Sequence, residues 1–462
     1  MKNYNSKLKI MEGMKCPQKF SILLFAFCII QGCASQPFNK PSAESGFMKR
    51  AQSKTDQGVT VTVSAMGPKE SQEYFGVPLA KKNIQPVWIK IENNGSEPYL
   101  FLQYSVDPHY YPAAEAAFRA RKKLIEGSGI SKVISAAFLP LNFIQAGPEN
   151  ERTSEILREE ALNNTVIVPG AVQSGYVYTR VDEGMKSIPV QLMGEKNTLK
   201  FNFVIDVPGI NPDYDNEELY ALMRDSKPAA LDEEQLRIYL QDLPCCTKNK
   251  KGNKGGDPLN LILIGDLDDI LNVFTEAGWD ATEKLTWHTT WKAIDAFLHG
   301  KGYRYMPVSD LFFDGRRQDA AFQRIRSTIN ERMHMRLWFT PEQFEGKPVW
   351  VGAVSRDIGV KFTLEGLRFT THVIDPDLDE MRDYVFSDLA SIDRVELAGY
   401  VTGSLKAPKN EPAKNLTDDP FYSDGLRMVI KVSDHDVQPE FLGWQTPWLA
   451  KAREEEAART AK

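Results

Sequence analysis

Pro86-Val-Trp-Ile-Lys-Ile-Glu92, Asn93-Asn-Gly-Ser96 and Tyr99-Leu-Phe-Leu-Gln-Tyr-Ser-Val106 run on from one another and decide the class of the first half of the chain. Apolar and polar residues alternate on both sides of an Asn-Gly pair. A period of two is the spacing at which a strand turns one face to a core. Asn-Gly tolerates the positive φ angles of a tight turn, so the pattern predicts a β-hairpin.

Strand signals continue on either side, at Val59–Val63 before the hairpin and at Thr165–Pro169, Gly175–Arg180, Lys186–Leu192 and Leu199–Val207 after it. About seven short strands over residues 56–210 predict an all-β, immunoglobulin-like sandwich. A helical insertion separates the third strand from the fourth: Ala113–Glu126 is amphipathic and Ile130–Ile144 largely apolar. Lys132, Pro140 and Asn142 interrupt the apolar run, which favours a helix covering an open face of the sandwich over a lipid-surface contact.

Residues 211–256 read as a helical segment and linker, with paired charged helices over Glu217–Leu243 and a linker over Pro244–Gly256. A second, α+β domain with a mainly antiparallel sheet is expected over 257–435. Its strands are predicted at Leu259–Ile264, Met306–Phe313, Met333–Phe339, Val349–Val354, Val360–Thr363, Leu367–Ile374, Val395–Val401 and Leu426–Val432. Helices are predicted at Asp268–Ala277, Trp287–Leu298 and Asp377–Ile392, and residues 436–462 read as a charged tail.

The N-terminal segment sets the expected location. Lys15 and Lys19 precede an apolar run, Phe20–Ile30, of the length of a signal h-region and too short to span a bilayer comfortably. Gln31-Gly-Cys33-Ala-Ser35 then resembles the bacterial lipobox, with Gln31 departing from its usual small residue. The resemblance implies a signal peptide over 1–32, palmitate-type acylation at Cys33, a tether over 33–55 and a lipoprotein of the cell envelope. Ala34 after the anchor, where an acidic retention residue would otherwise stand, points to the outer membrane. The start at Met1, Met11 or Met14 does not alter the anchor. The expected partners are the membrane, through the lipid, and an envelope protein.

Of 462 residues, 42% are hydrophobic and 26% charged, enough apolar material for folded domains. The net charge of -6 opposes the basic footprint that phosphate backbones demand, so nucleic acid is set aside. After loss of the signal and acylation of Cys33, Cys245 and Cys246 remain. Joined to each other they would close a strained ring, and no metal spacing surrounds them, so the reading favours two thiols at a domain boundary.

Several stretches of the second half resemble the LssY C-terminal domain family: Gly256-Asp-Pro-Leu-Asn260, Gly315-Arg-Arg-Gln-Asp319, Arg336-Leu-Trp338, Lys347-Pro-Val-Trp-Val-Gly352, Ser355-Arg-Asp-Ile-Gly359, Thr371-His-Val-Ile-Asp-Pro-Asp377 and Asn415–Pro420 with Asp424-Gly425. They span about Gly256 to Ser433, outside the sandwich. In relatives this domain often follows a membrane-embedded lipid-phosphate phosphatase-like domain, which implies work on lipid-linked phosphates. The first half of this chain shows neither transmembrane helices nor a phosphatase motif.

Spacing draws a candidate ligand or metal site from His334, Arg356, Asp357, His372 and Asp375. With a turn over Pro341–Gly346, His334 pairs near Ala353; with a turn at Glu365-Gly366, His372 pairs near Ile358, and both histidines fall near Ser355–Asp357. Imidazoles, carboxylates and a guanidinium could hold a divalent metal or an anion. Asp375-Pro-Asp-Leu-Asp379 opens like a calcium loop but lacks the sixth-position Gly and has Phe386 at the twelfth, so it reads as a helix start with Asp375 as N-cap and Pro376 at N1. A Ser355–His372–Asp375 hydrolase lacks a nucleophile elbow. No catalytic residue or cofactor is assigned. The expected function is an envelope binding or scaffold module; the alternative is a hydrolase of phosphorylated or lipid-linked envelope substrates.

Overall fold

Alternation sends Val61, Val63 and Ala65, and opposite them Ile91, Ile89 and Val87, into one fully buried layer. A computed structural model describes residues 46–121, 151–209, 216–283, 304–325, 332–362 and 370–444. The signal segment, Cys33 and the start of the tether, Ile130–Ile144, Trp287–Leu298, Glu365-Gly366 and the end of the charged tail lie outside those residues. The chain is mostly β, arranged in several sheets with predominantly antiparallel pairing.

In the first half, β1 (Gln52–Asp56), β2 (Val59–Ala65), β3 (Gln85–Asn93), β4 (Tyr99–Phe101), β5 (Thr165–Ile167), β6 (Val172–Thr179), β7 (Gly184–Met193) and β8 (Thr198–Val207) form two four-stranded antiparallel sheets, ordered β1-β2-β3-β6 and β5-β4-β7-β8. Val61, Ile89 and Val177 of one meet Phe101, Val190 and Phe203 of the other in a common core. Each such side chain contributes about 1.5–3 kcal/mol on burial.

The expected hairpin at Asn93–Ser96 is not formed: β3 pairs with β2 and β6, and β4 with β5 and β7. The turn instead carries the chain from one sheet to the other. Buried Asn93 secures the crossing, its carboxamide N–H donating to the carbonyls of Glu97 (2.8 Å) and Ile167 (2.9 Å) and its oxygen accepting from Gly95 N–H. The folded body also begins inside the expected tether, with β1 and the buried Phe47.

The described part of the insertion, together with a helix that precedes β3, covers the sheet face at β6. Helices α1 (Pro68–Phe75) and α2 (Ala113–Ala120), with a helix over 151–159, bury Phe75, Ala116, Ala117 and Leu157 against Tyr176 and Tyr178 of β6.

Helices α3 (Asn216–Asp225) and α4 (Glu233–Asp242) flank β9 (Ala229–Leu231). The stretch read as a linker is a hairpin of β10 (Cys246–Lys248) and β11 (Gly255–Pro258), and β10 also pairs with β14 (Phe312–Phe313), which turns into β15 (Arg316–Arg317). The main sheet runs β13 (Asp280–Ala281), β16 (Ala320–Ile325), β17 (Arg332–Phe344), β18 (Lys347–Phe362), β12 (Leu261–Ile264), β23 (Ser423–Val432), β20 (Val395–Ala407) and β24 (Glu440–Phe441), with β19 (Thr370–Ile374) beside β18 and β9 beside β17, while β21 (Ala413–Lys414) and β22 (Pro420–Phe421) pair separately. Two expected strands, Val349–Val354 and Val360–Thr363, are one continuous β18, and most of Met306–Phe313 is a loop.

One face of this sheet, with Leu337, Trp350 and Met428, packs on α5 (Leu267–Glu276), on α6 (Leu378–Ala390) and on Met185 of the first half. The other, with Trp338, Val351 and Val429, packs on α4 and on Leu311 and Phe313. Among the described residues, no helix is long and apolar enough to cross a membrane.

Candidate functional site

Arg332-Met-His334-Met-Arg336-Leu-Trp338 alternates polar and apolar residues along β17, and the strand keeps that order in space. Met333, Met335 and Leu337 face the α5–α6 side. Trp338 lies in the core of the α4 side, and Arg332, His334 and Arg336 share its face because strand side chains alternate.

Antiparallel pairing sets Arg332 against Asp357 and His334 against Ser355. The observed register is displaced by two residues from the expected His334–Ala353 match. The turn is Glu345-Gly346 alone, both at positive φ (50° and 76°), and an irregularity between Phe339 and Gln343 absorbs the slack. An even displacement leaves each side chain on its expected face.

The buried cluster centres on Asp357. Arg332 Nε donates to Asp357 Oδ2 (2.8 Å), and Arg332 Nη1 donates to Gln323 Oε1 (3.2 Å) and to the carbonyls of Pro307 (3.3 Å) and Met306 (3.4 Å). Ser355 Oγ lies 3.0 Å from His334 Nε2, and His334 Nδ1 lies 3.6 Å from Asp357 Oδ2. Ser355, His334 and Asp357 are 2%, 5% and 1% exposed, so the row is covered, and the 306–309 backbone supplies carbonyls over it.

A second pair extends the cluster towards the small sheet. Arg336 Nε donates to the Ser309 carbonyl (3.0 Å) while its Nη1 stands 3.7 Å from Asp257 Oδ2. Burial pushes the Asp257 carboxyl above its ordinary pKa, Arg336 pulls it back, and the Asp357 charge raises it further. Nearby, Asn415 Oδ1 accepts from the N–H groups of Thr417 (2.9 Å) and Asp419 (3.0 Å), closing the loop that carries buried Asp419.

The five residues expected to converge are divided by β18. Asp357 and His334 lie on the covered face. Arg356, one residue along, takes the opposite face, where it pairs with Asp375 (3.3 Å) and Glu380 (3.1 Å). His372 pairs with Val360, two residues beyond the expected Ile358, and a slip of the ladder between Asp357 and Gly359 contributes one of the two; its side chain lies outside the described ones. Asp375 is not the helix cap: Asp377 is, accepting from Glu380 N–H, while Asp375 accepts from Asp377 N–H (3.0 Å) one turn earlier. Among the described residues, no group of three or more His, Cys, Asp or Glu side chains is placed to hold a metal ion.

Reasoning from sequence missed Arg332, Arg336, Gln323, Asp257 and Asp419 as members of the cluster. The signal was available for the first two, since Arg and His at every second position of an otherwise apolar strand mark one polar, inward face. Stretches that lie far apart in sequence converge here: Arg336, Asp357, Asn415 and Asp419 all act on buried Asp257, and Asn260 braces β18 by bonding both backbone groups of Val354.

No curated protein matches this chain. The model of the family described as LssY C-terminus matches residues 237–426, beginning at α4 and therefore including the hairpin read as a linker. Every residue of the buried cluster falls within that match, so the unit that carries it is the part of the chain similar to the LssY C-terminus family.

Proposed function

We propose that this chain is an envelope lipoprotein, anchored to the outer membrane through Cys33, whose LssY-type unit is a binding module rather than a hydrolase. The observation that carries this reading is the state of the Ser355–His334–Asp357 row. A nucleophile must reach its substrate, and Ser355 is 2% exposed in the middle of a continuous strand. The Asp357 carboxylate is engaged by Arg332 Nε, and Arg332 Nη1 donates to backbone carbonyls and Gln323. Such a network holds strands and loop in register, leaving the outer surfaces to meet partners. The two-sheet unit is read as an immunoglobulin-like sandwich, an architecture suited to protein contact, and an envelope protein is the partner class.

A hydrolase of phosphorylated or lipid-linked substrates is favoured by one feature, the order Ser–His–Asp within the row. A fluorophosphonate probe separates the two readings. The binding-module reading predicts no adduct on Ser355 under native conditions, and an adduct lost in Ser355→Ala overturns it. The anchor is tested by fatty-acid labelling, which Cys33→Ala should abolish; unchanged labelling refutes the lipoprotein assignment.

A further inference from the structure

Cys245 and Cys246 are joined by a disulfide, where the sequence favoured two free thiols. The bond closes a ring that includes the peptide linking the two residues, and Cys245 is exposed. Its position gives it consequences in the core.

The preceding residues end α4, and their carbonyls lack helical partners, as at any helix C-terminus. Arg427 of β23, fully buried, supplies the missing donors. Its guanidinium donates to the carbonyls of Leu240, Leu243 (3.0 Å), Pro244 (2.7 Å), Gly403 (2.7 Å) and Leu259 (3.0 Å). Among the described residues these acceptors are all backbone groups, so the cation is stabilised by oriented carbonyls and by the negative end of α4. Burial pushes its pKa down to about 10. The next carbonyl, that of Cys245, accepts from Leu259 N–H (2.9 Å), and Cys246 pairs with Pro258. Of three successive carbonyls, those of Leu243 and Pro244 anchor the segment on Arg427, and that of Cys245 ties it to the end of the strand that carries Asp257 into the buried cluster. Buried Thr247 completes the clasp: its hydroxyl donates to the Asp257 carbonyl (3.0 Å), and a Cβ on Gly256 would lie 2.5 Å from that hydroxyl oxygen.

We propose that Cys245–Cys246 is a thiol-exchange site, opened by a dithiol reductant, whose state controls the seating of Leu240–Leu259 on Arg427 and so the position of Asp257. A reductant thiolate attacks the exposed Cys245 sulfur, forming a mixed disulfide and releasing Cys246 as a thiolate. The second reductant thiol then displaces Cys245, so two electrons and two protons pass to the cysteine pair and the reductant leaves as its own disulfide. Opening the ring frees the 245–246 peptide to rotate and withdraws the constraint on the carbonyls before it.

The test uses the full chain in detergent, with alkylation and hydrogen exchange read by mass spectrometry with and without dithiothreitol. The peptide holding Cys245 and Cys246 should resist alkylation until reductant is added. Reduction should then speed exchange across 240–259 by about tenfold or more, with β2 and β3 unchanged. A Cys245→Ser, Cys246→Ser double variant should exchange like the reduced protein; if that variant does not fold, the comparison within the wild-type chain decides. Alkylation of both cysteines in the native, unreduced protein overturns the proposal, as does reduction that leaves exchange across 240–259 unaltered.

Discussion

Arg332 and Asp357 meet at 2.8 Å with side chains 5% and 1% exposed. Isolating either charge at that depth is costly, because the survivor keeps its desolvation penalty and loses its partner. Asp357→Ala should therefore lower unfolding free energy by about 3–5 kcal/mol in urea titration, well above the cost of an exposed pair. A loss below about 1 kcal/mol would mean that water reaches the cluster. The placement of Asp357 and His334 on one face was legible from strand periodicity. Arg356 was misassigned by the same rule applied loosely, since a residue adjacent to Asp357 in a strand must face the other way.

At the scale of elements, two-residue turns decide more than the runs they join. Glu345-Gly346 reads from sequence as part of a longer loop, yet both residues accept positive φ and close β17 onto β18 directly. Asn93–Ser96 has the stronger hairpin signature and makes none, because the choice between folding back and crossing over depends on what Asn93 finds: the Ile167 carbonyl of the opposite sheet, distant in sequence. Asn93→Ala leaves that buried carbonyl and the Glu97 carbonyl short of donors, and about 1–3 kcal/mol of stability should be lost in thermal or chemical unfolding. An unchanged midpoint would show that the crossing is held by the strands alone. Ala320–Ile325 escaped notice as a strand because its small and polar residues carry little β preference; its place between β13 and β17 is set by pairing. The tip of the β10–β11 hairpin, rich in Lys, Asn and Gly, looked like a linker, and its strands were too short to show a period.

Across the whole molecule, the two halves are joined by charge as well as by apolar contact. Arg304 bridges Asp182, which precedes β7, and Asp280 of β13 (2.7 Å), Lys186 also reaches Asp182 (2.5 Å), and Glu183 N–H donates to the Tyr305 hydroxyl oxygen (2.7 Å). Burial raises the Asp280 carboxyl to about 6, with Arg304 only partly opposing it. Because this value lies above the ordinary 3.8, the folded chain holds the proton more tightly than the unfolded one. Its contribution to stability is complete below pH 3.8 and is lost as pH rises towards 6. In a series of unfolding measurements across that window, Asp280→Asn should flatten the decline; an identical slope in variant and wild type would remove Asp280 as its source.

If the buried row is a structural keystone of a binding module, equilibrium unfolding of His334→Ala beside the wild type will show it. Residues poised for chemistry are commonly held at some cost to stability, whereas a keystone is not. The substitution should cost about 2–4 kcal/mol, from the cavity and from the Ser355 and Asp357 groups left without His334. A variant as stable as the wild type, or more stable, would contradict it and return the row to the status of a catalytic site.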